Sequence, residues 1–536
     1  MNPIRGVILA TVSIVALSQS LAVAADTNPQ PVDFAHNVTG GPAPVPGAAF
    51  GTAPSTKTGT AICTTGLQTG ANANTDCTES SVGPHNETSI AVNPTNPLNM
   101  IGGVNDYQLT LNAEGHVAET VLSRAHVTFD GGKTWSMYPV FSSSTYQASG
   151  DPALSFDASG RAYYGTLGFR FVSKANATNP DVLVSNSNDG GKTWSVVRVA
   201  SGSGVASSVG DLLDKEYVAA WQNGNAIVTY GDFQLGQKGG FISARIHSSV
   251  THDGGSTWSS PVIISGTLDQ AFVSTPVVTA DGRIFVSFLN TTDLTTGRDD
   301  YEVVEVSPTT GAALGAPVTV ATVIDGNTDY PIAFGRQTYQ DSVFRSWAAG
   351  NIAADPTNAA HLAVVWSDMR DSVTPAPSDP YTAKTNSDVV ISESFDHGQT
   401  WSAPAALAIA GDQYQQWSVY DTSGRLRIGT FDRSVDPSNH MYGYTVASVT
   451  SVSPLTFTTQ TVSTANSDPT TNDRWFARTV SPDPAFKNAT AFSGDYSNIA
   501  ATADGGVVAY WTDMRNDVTF AGVTRKGEDA YFAKAS

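Results

Sequence analysis

A short motif that occurs four times constrains this chain more than any other feature of its sequence. Each copy reads Ser or Thr, any residue, Asp, any residue, Gly, any residue, Thr, Trp, and the copies lie at 128–135, 187–194, 251–258 and 394–401. The hydroxyl and the carboxylate can accept hydrogen bonds from backbone amides inside a tight turn. The Gly supplies a left-handed backbone conformation, and the Trp packs beside the turn. The motif therefore predicts four similar hairpins between β-strands.

The motif is one part of a longer repeat. Its aspartates, Asp130, Asp189, Asp253 and Asp396, follow one another at intervals of 59, 64 and 143 residues, so the last interval has room for a repeat without the motif. A hairpin predicted at 302–318 fills that place. Each repeat has a polar cluster, an apolar strand, a turn, and a second apolar strand that ends in another polar cluster.

Seven such strand pairs can be counted in the sequence. They lie at 87–92 with 100–106, 151–156 with 161–170, 216–220 with 226–232, 275–278 with 283–290, 351–354 with 362–370, 417–420 with 426–433, and 497–502 with 507–515. Four-stranded units arranged radially form a β-propeller. We therefore predict an all-β fold, a single propeller with the motif between the third and fourth strands of a blade. Seven blades are preferred, and six are the alternative.

The two ends of the chain predict how the ring closes. Only three strands can be placed in the last repeat, so we expect its fourth strand to come from the N-terminal side, which leaves no exposed sheet edge. Residues 26–82, rich in Pro and Gly and without apolar periodicity, predict an extended arm, and residues 83–536 form the propeller. Residues 1–25 carry Arg5 and an apolar run before Ala22-Val23-Ala24, which is the pattern of a signal peptide.

Cysteine content and charge agree with export. Cys63 and Cys77 are the only cysteines, and we expect them to form a disulfide in an oxidising compartment. The formal charge of −20 and the isoelectric point near 4.6 disfavour nucleic acid and anionic lipid as partners. No segment after the signal peptide is apolar over the length of a membrane span. The sequence thus predicts a secreted or periplasmic protein.

Polar clusters at the strand ends predict the functional face. In a propeller, the start of the innermost strand and the end of the second strand of every blade share one rim. The residues placed there are His85, Asn86, Glu87, Asp106, Asp151, Arg170, Asp214, Lys215, Glu216, Asp232, Asp368, Arg370, Asp371, Asp432, Arg433, Asp495, Tyr496, Asp513 and Arg515.

The repeated motif resembles the Asp-box, or bacterial neuraminidase repeat, of the sialidase superfamily, and the resemblance covers about residues 83–536. It implies a Tyr nucleophile activated by a Glu, an Asp acid/base, and arginines that hold a substrate carboxylate. The segment 496–505 resembles the one in which the nucleophilic Tyr begins the inner strand of the last blade. The implied catalytic residues are Tyr496, Glu216, Asp151 and Glu87, and the implied substrate-binding residues are Arg370, Arg433, Arg515, Arg170 and His85.

Other interpretations of these residues stay open. The sequences 366–370 and 511–515 are near copies, Trp-Ser-Asp-Met-Arg and Trp-Thr-Asp-Met-Arg, so their Asp and Arg residues can also form structural pairs in each blade. No Phe/Tyr-Arg-Ile-Pro segment precedes the first motif, and seven repeats exceed the six blades of sialidases. His85 with Glu87 can be a metal pair, an acid/base pair, or surface residues.

The sequence thus predicts an exported, sialidase-like glycoside hydrolase acting on terminal sugars, with a carbohydrate or glycoconjugate as its partner. No metal ligand is assigned and no cofactor is specified, although the acidic rim makes Ca²⁺ an option. The alternative is a non-catalytic propeller that binds glycan or protein at this rim, with or without Ca²⁺. A lyase or a peptidase on the same scaffold is a further alternative.

Overall fold

The computed structural model of the chain consists of repeated antiparallel β-sheets. It describes residues 63–64, 71–76, 83–111, 117–141, 146–173, 176–204, 209–236, 240–293, 298–324, 332–333, 336–337, 339, 349–371, 385–469, 493–520 and 523–536. The regular elements of these residues are all β-strands, and they include no helix with the length and apolarity of a membrane span. The predicted signal peptide, most of the predicted arm, and Cys77 of the predicted disulfide lie outside the described residues.

Seven sheets of four principal strands form the blades of a propeller, so the preferred blade number is confirmed and the alternative of six is wrong. We name the strands of each blade a to d from the axis outward. In blade 1 they are His85–Val92, Met100–Leu111, Val117–Thr128 and Ser136–Pro139. In blade 2 they are Ala148–Phe156, Ala162–Phe169, Asp181–Ser187 and Ser195–Ala200. In blade 3 they are Gly210–Trp221, Asn225–Leu235, Phe241–Thr251 and Val262–Ile263.

The same order continues through the remaining blades. The strands of blade 4 are Ala271–Val278, Ile284–Asp293, Arg298–Val306 and Val318–Ile324. Those of blade 5 are Asn351–Ala354, Leu362–Asp368, Asp388–Ser394 and Ala405–Ala406. Those of blade 6 are Gln413–Tyr420, Leu426–Asp432, Gly443–Val452 and Leu455–Thr461. Those of blade 7 are Asn498–Ala501, Val507–Asp513, Asp529–Ala535 and, from the N-terminal side, Asn72–Asn74.

Some short strands lie outside this scheme. Cys63–Thr64 adds a fifth strand to blade 1 by pairing with its strand d. Three small hairpins pair Phe171–Ser173 with Asn176–Ala177, Ile332–Ala333 with Arg336–Gln337, and Asp517–Phe520 with Val523–Lys526.

The N-terminal strand closes the ring, as the sequence predicted. Asn72–Asn74 runs antiparallel to Asp529–Ala535, with Ala73 opposite Phe532. The amide of Thr75 extends the pairing by donating to the carbonyl oxygen of Ala530 at 2.9 Å. The inner strands of neighbouring blades are in contact around the whole ring, including those of blades 7 and 1. Every blade is therefore covered on both faces by its neighbours, which buries the apolar side chains of all seven.

The repeated motif forms the turn between strands c and d of blades 1, 2, 3 and 5. In the first copy, the carboxylate of Asp130 accepts hydrogen bonds from the amides of Lys133 at 3.0 Å and Thr134 at 2.9 Å. The Thr128 hydroxyl accepts one from the amide of Gly132 at 3.0 Å, and Gly132 has a φ of 92°. The same bonds recur around Asp189, Asp253 and Asp396. The predicted turn chemistry is therefore confirmed in all four copies.

The motif also packs each blade that carries it against the blade before it. Trp135 of blade 1 is fully buried and packs edge-on against Phe532 of blade 7, with ring centroids 5.1 Å apart. In the next blade, a side chain added at Gly191 would meet Ile101 of blade 1 at 2.7 Å. Only a glycine allows that approach, because its backbone lies directly on the neighbouring sheet.

A β-bulge interrupts strand a in five of the seven blades. At each bulge one residue that is not glycine has a positive φ: Glu87, Asp151, Lys215, Val273 and Gln415, at 53°, 60°, 53°, 50° and 50°. This conformation costs about 1–3 kcal/mol for such residues and persists only where the surrounding structure imposes it. Three of the five residues are charged, and they belong to the consecutive blades 1, 2 and 3.

Candidate functional site

The bulges bring charged side chains of different blades together near the axis. The ammonium nitrogen of Lys215 lies 2.8 Å from Asp151, 3.1 Å from Glu87 and 2.8 Å from Asp495, which precedes strand a of blade 7. All four side chains are buried or nearly so, and Asp151 keeps the largest exposed fraction, 11%. We call these four residues, together with Glu216 and Tyr496, the axial cluster.

A hydrogen-bonded amide fixes two of the carboxylates relative to each other. The side chain of Asn105, on strand b of blade 1, donates to Glu87 at 2.9 Å. Its carbonyl oxygen accepts a hydrogen bond from the backbone amide of Asp151, also at 2.9 Å. Because one amide bridges the bulges of blades 1 and 2, both acids are held in a fixed geometry.

Glu216 is the carboxyl group of the cluster without a hydrogen-bonding partner. Its side chain is buried, and neither carboxyl oxygen makes a hydrogen bond to the described residues. Burial, and then the negative charge of Asp151, raise its pKa well above 4.5. This shift favours the protonated form of Glu216, whose hydroxyl has no acceptor among the described residues.

Aromatic side chains line the cluster. The ammonium of Lys215 lies 5.4 Å from the centre of the Tyr496 ring, and that ring meets Tyr217 edge-on at 5.7 Å. Tyr217 in turn stacks on the half-buried Trp417, with centroids 5.4 Å apart. The Tyr496 hydroxyl donates to the carbonyl oxygen of Pro152 at 3.3 Å. Burial, followed by the charges of Glu87 and Asp151, raises the pKa of Tyr496 well above 10.

The four residues predicted to be catalytic, Tyr496, Glu216, Asp151 and Glu87, thus lie in one cluster. Their catalytic roles stay predictions. Sequence reasoning placed Lys215 and Asp495 on the rim but gave neither a role. The signal for Lys215 was its place beside Glu216, at the start of an inner strand.

The predicted substrate-binding arginines lie elsewhere. Arg370 donates to Asp368 of its own blade at 2.8 and 2.7 Å, and Arg515 repeats these bonds with Asp513. Each arginine also reaches a neighbouring strand: Arg370 donates to the carbonyl oxygen of Thr322 at 3.0 Å. The structural interpretation of the two near-identical segments is thereby confirmed, and a substrate-binding role stays a prediction.

The other residues of that predicted set also have protein partners. Arg433 is fully buried and lies 3.2 Å from Asp412, so no part of its side chain is exposed to a ligand. Arg170 is partly exposed and lies 3.5 Å from Asp181. His85 is buried beside Asp76 and Asp106. These partners of the three residues, Asp412, Asp181, Asp76 and Asp106, lie outside the axial cluster.

The described residues offer limited room for a cation at the axis. A Ca²⁺ ion needs several carboxylate and carbonyl oxygens around it, but the ammonium of Lys215 already bridges the carboxylates of Glu87, Asp151 and Asp495. Within the described part of the chain, three side chains with metal-ligand spacing are found at another place: Asp76, His85 and Asp529.

No protein-family model matches the chain, and no curated protein matches it. Solved structures similar to it include sialidases and other glycoside hydrolase or lyase propellers. The Hadza microbial sialidase Hz136 is 13% identical with a TM-score of 0.40, and the match covers 67% of this chain and 65% of that one, which is less than two thirds of its length. A leech intramolecular trans-sialidase is 12% identical with a TM-score of 0.40, over 89% and 70% of the two chains. A PL25 ulvan lyase is 11% identical with a TM-score of 0.40, over 70% and 78%. Similarities at this level assign no activity, so the functional argument rests on the axial cluster.

Proposed function

We propose that the chain is an exported glycoside hydrolase that cleaves a terminal sugar at the axial cluster. The observation that best supports this proposal is that the side chains of four residues lie close together around Lys215: Tyr496, Glu216, Asp151 and Glu87. Three of these five residues have left-handed backbone, which is conformational strain of the kind found at functional sites.

The protonation states suggest how the roles are divided. Burial favours the protonated form of Glu216, and its carboxyl group has no hydrogen-bonding partner among the described residues, so it suits the general acid that protonates the departing glycosidic oxygen. Tyr496 attacks the anomeric carbon as the glycosidic bond breaks, while Glu87 takes the phenolic proton. Burial, and then the charge of Asp151, raise the pKa of Glu87 above 4.5, which makes its carboxylate a stronger base. In the second half of the reaction, Asp151, paired with Lys215, takes a proton from the water that attacks the anomeric carbon, and Glu87 returns its proton to the departing phenolate of Tyr496.

The charge of the cluster indicates the substrate class. Three carboxyl groups, those of Glu87, Asp151 and Asp495, surround the one ammonium of Lys215. An anionic sugar would be repelled by this arrangement, whereas a neutral sugar can donate its hydroxyls to the carboxylates and stack on Trp417. We therefore expect neutral glycosides to be better substrates than sialosides or uronosides.

A fluorogenic glycoside screen with three variants tests this function. On an active substrate, Tyr496→Phe and Glu216→Gln should each lower kcat by about 100-fold or more, because covalent catalysis or acid catalysis is lost. Glu302→Gln is the matched control: Glu302 is also buried, its pKa is raised to about 7 by burial, and it bonds Thr319 in blade 4, outside the axial cluster. It should keep wild-type kcat.

The pH profile separates the acid role from a structural one. A general acid must be protonated, so activity should fall as pH rises through the pKa of Glu216, which burial holds well above 4.5. Glu216→Gln should abolish that alkaline limb in its residual activity. Wild-type turnover in both Tyr496→Phe and Glu216→Gln, with both folded, would refute the assignment.

A non-catalytic binding propeller is the second candidate. It is favoured by one observation: Lys215 makes three ion pairs within the cluster and is only 3% exposed, as expected of a structural centre. Calorimetric binding of a glycan, with no product after long incubation, would support this candidate over the hydrolase.

A further inference from the structure

A second buried polar cluster lies where the ring closes. It joins three parts of the fold: Asp76, just after the closing strand Asn72–Asn74; His85, the first residue of strand a of blade 1; and Asp529, the first residue of strand c of blade 7. All three are buried, with 3%, 1% and 6% of their surface exposed. One donor atom from each lies within 4.8 Å of the others.

Donor atoms in this cluster lack the hydrogen bonds that buried polar groups normally make. Nδ1 of His85 forms no hydrogen bond to the described residues, and neither does one carboxylate oxygen of Asp76. Buried polar atoms without partners are rare in native proteins, and a bound ion can satisfy them. Three carboxyl groups, those of Asp76, Asp106 and Asp529, lie around His85, and Arg124 contacts one of them, Asp106.

The distances suit donors that share a metal. Nδ1 of His85 lies 3.5 Å from Oδ2 of Asp76, too far for a good hydrogen bond. Two ligands about 2.1 Å from one tetrahedral zinc ion stand about 3.4 Å apart. On the other side of the ring, Nε2 of His85 lies 3.2 Å from Asp106, which Arg124 holds in turn at 3.2 Å. A carboxylate beside the second nitrogen is the usual environment of a metal-bound histidine.

We propose that Asp76, His85 and Asp529 bind a divalent transition-metal ion, Zn²⁺ by ligand type, which fastens the N-terminal strand to blades 7 and 1. One imidazole and two carboxylates are suitable zinc ligands, and a water completes a four-coordinate site. The site exists only when the arm is docked, so metal binding and ring closure stabilise each other. Asn516 orients Asp529 by donating to its carboxylate at 2.6 Å.

Metal content and thermal stability test the proposal. The purified full chain is stripped with a chelator, dialysed, and titrated with Zn²⁺ and, for its visible absorption, with Co²⁺. We expect one bound equivalent, a higher Tm with Zn²⁺, and a tetrahedral Co²⁺ spectrum. No binding of either ion to the folded protein, or binding without a change in Tm, would overturn the proposal.

Two variants locate the ion. His85→Gln and Asp529→Asn should each lower Zn²⁺ affinity at least tenfold, with folding checked by circular dichroism. His361→Gln is the matched control, because His361 also lies between two carboxylates, Asp355 at 2.9 Å and Glu393 at 3.2 Å, but bonds both of them. Should His85→Gln not fold, the titration of the wild-type protein still decides whether a metal binds. Equal loss of affinity in His361→Gln, or wild-type affinity in both His85→Gln and Asp529→Asn, would refute the assignment.

Discussion

Replacement of Lys215 by Met should destabilise the protein strongly, because it removes the one cation among buried carboxylates. Lys215 is 3% exposed and lies 3.1, 2.8 and 2.8 Å from Glu87, Asp151 and Asp495. Met has a similar length but leaves these carboxylates uncompensated. Removing one partner of a buried ion pair costs about 3–5 kcal/mol. We expect a loss of that size in the free energy of unfolding near pH 8.

Lys526→Met provides the matched control. Lys526 makes an ion pair of the same length, 2.8 Å, with Asp517, but the two side chains are 32% and 65% exposed. Exposed pairs contribute less than about 1 kcal/mol. Urea denaturation followed by tryptophan fluorescence compares both variants with the wild type. Equal losses in the two variants would refute the view that burial gives Lys215 its importance.

The loss in Lys215→Met should depend on pH in a defined direction. Burial, and then Asp151, hold the pKa of Glu87 above 4.5, and loss of the ammonium raises it further. When the pKa of a carboxyl group is higher in the folded than in the unfolded state, ionisation of that group destabilises the folded protein at pH values above the unfolded-state pKa. This destabilisation disappears as the pH falls to the unfolded-state pKa. The difference between Lys215→Met and wild type should therefore shrink from about pH 8 to about pH 5. A difference that grows on acidification would contradict this reasoning.

Adding Glu87→Gln to Lys215→Met should recover part of the stability, because one unpaired charge is gone.

Two further predictions concern the repeats. Asp130→Ala should lower the free energy of unfolding by about 1–3 kcal/mol, since the amides of Lys133 and Thr134 lose their acceptor, and should leave kcat on an active glycoside unchanged. Loss of turnover at unchanged stability would contradict a purely structural turn. Arg515→Met should cost more stability than Arg370→Met, because Arg515 is 14% rather than 34% exposed and also bonds Asn72 of the closing strand. If instead either variant raised KM tenfold or more without destabilising the protein, the substrate-binding role implied by the resemblance would be supported.

The sequence predicted the ring well because a propeller repeats one local unit. The turn chemistry around Asp130 involves residues no more than four positions apart, so the motif specifies it directly. The pairing of Arg370 with Asp368 is equally local and could be anticipated from its near copy at 511–515. The missing fourth strand followed from an unpaired edge in blade 7, which the strand Asn72–Asn74 covers.

Lys215 was harder to anticipate because strand periodicity misleads at a bulge. Successive side chains of a regular strand face opposite sides, so the pattern alone puts only one of Lys215 and Glu216 toward the axis. The bulge at these two residues, with its left-handed Lys215, changes those directions. A one-residue change in register depends on tertiary packing, so the sequence pattern does not predict where it occurs.

The sequence by itself determined the seven repeats, the turns that join their outer strands, and which strand ends carry polar residues, because each depends on interactions between near neighbours in the chain. Only the tertiary structure decided which of those polar residues contact one another. Glu87 and Asp495 contact the same ammonium across more than 400 residues of sequence, and Asp76 and Asp529 are brought to His85 by closure of the ring. Such contacts between residues distant in sequence depend on the radial order of the blades and on the bulges at the axis. Both are set by packing among all seven sheets.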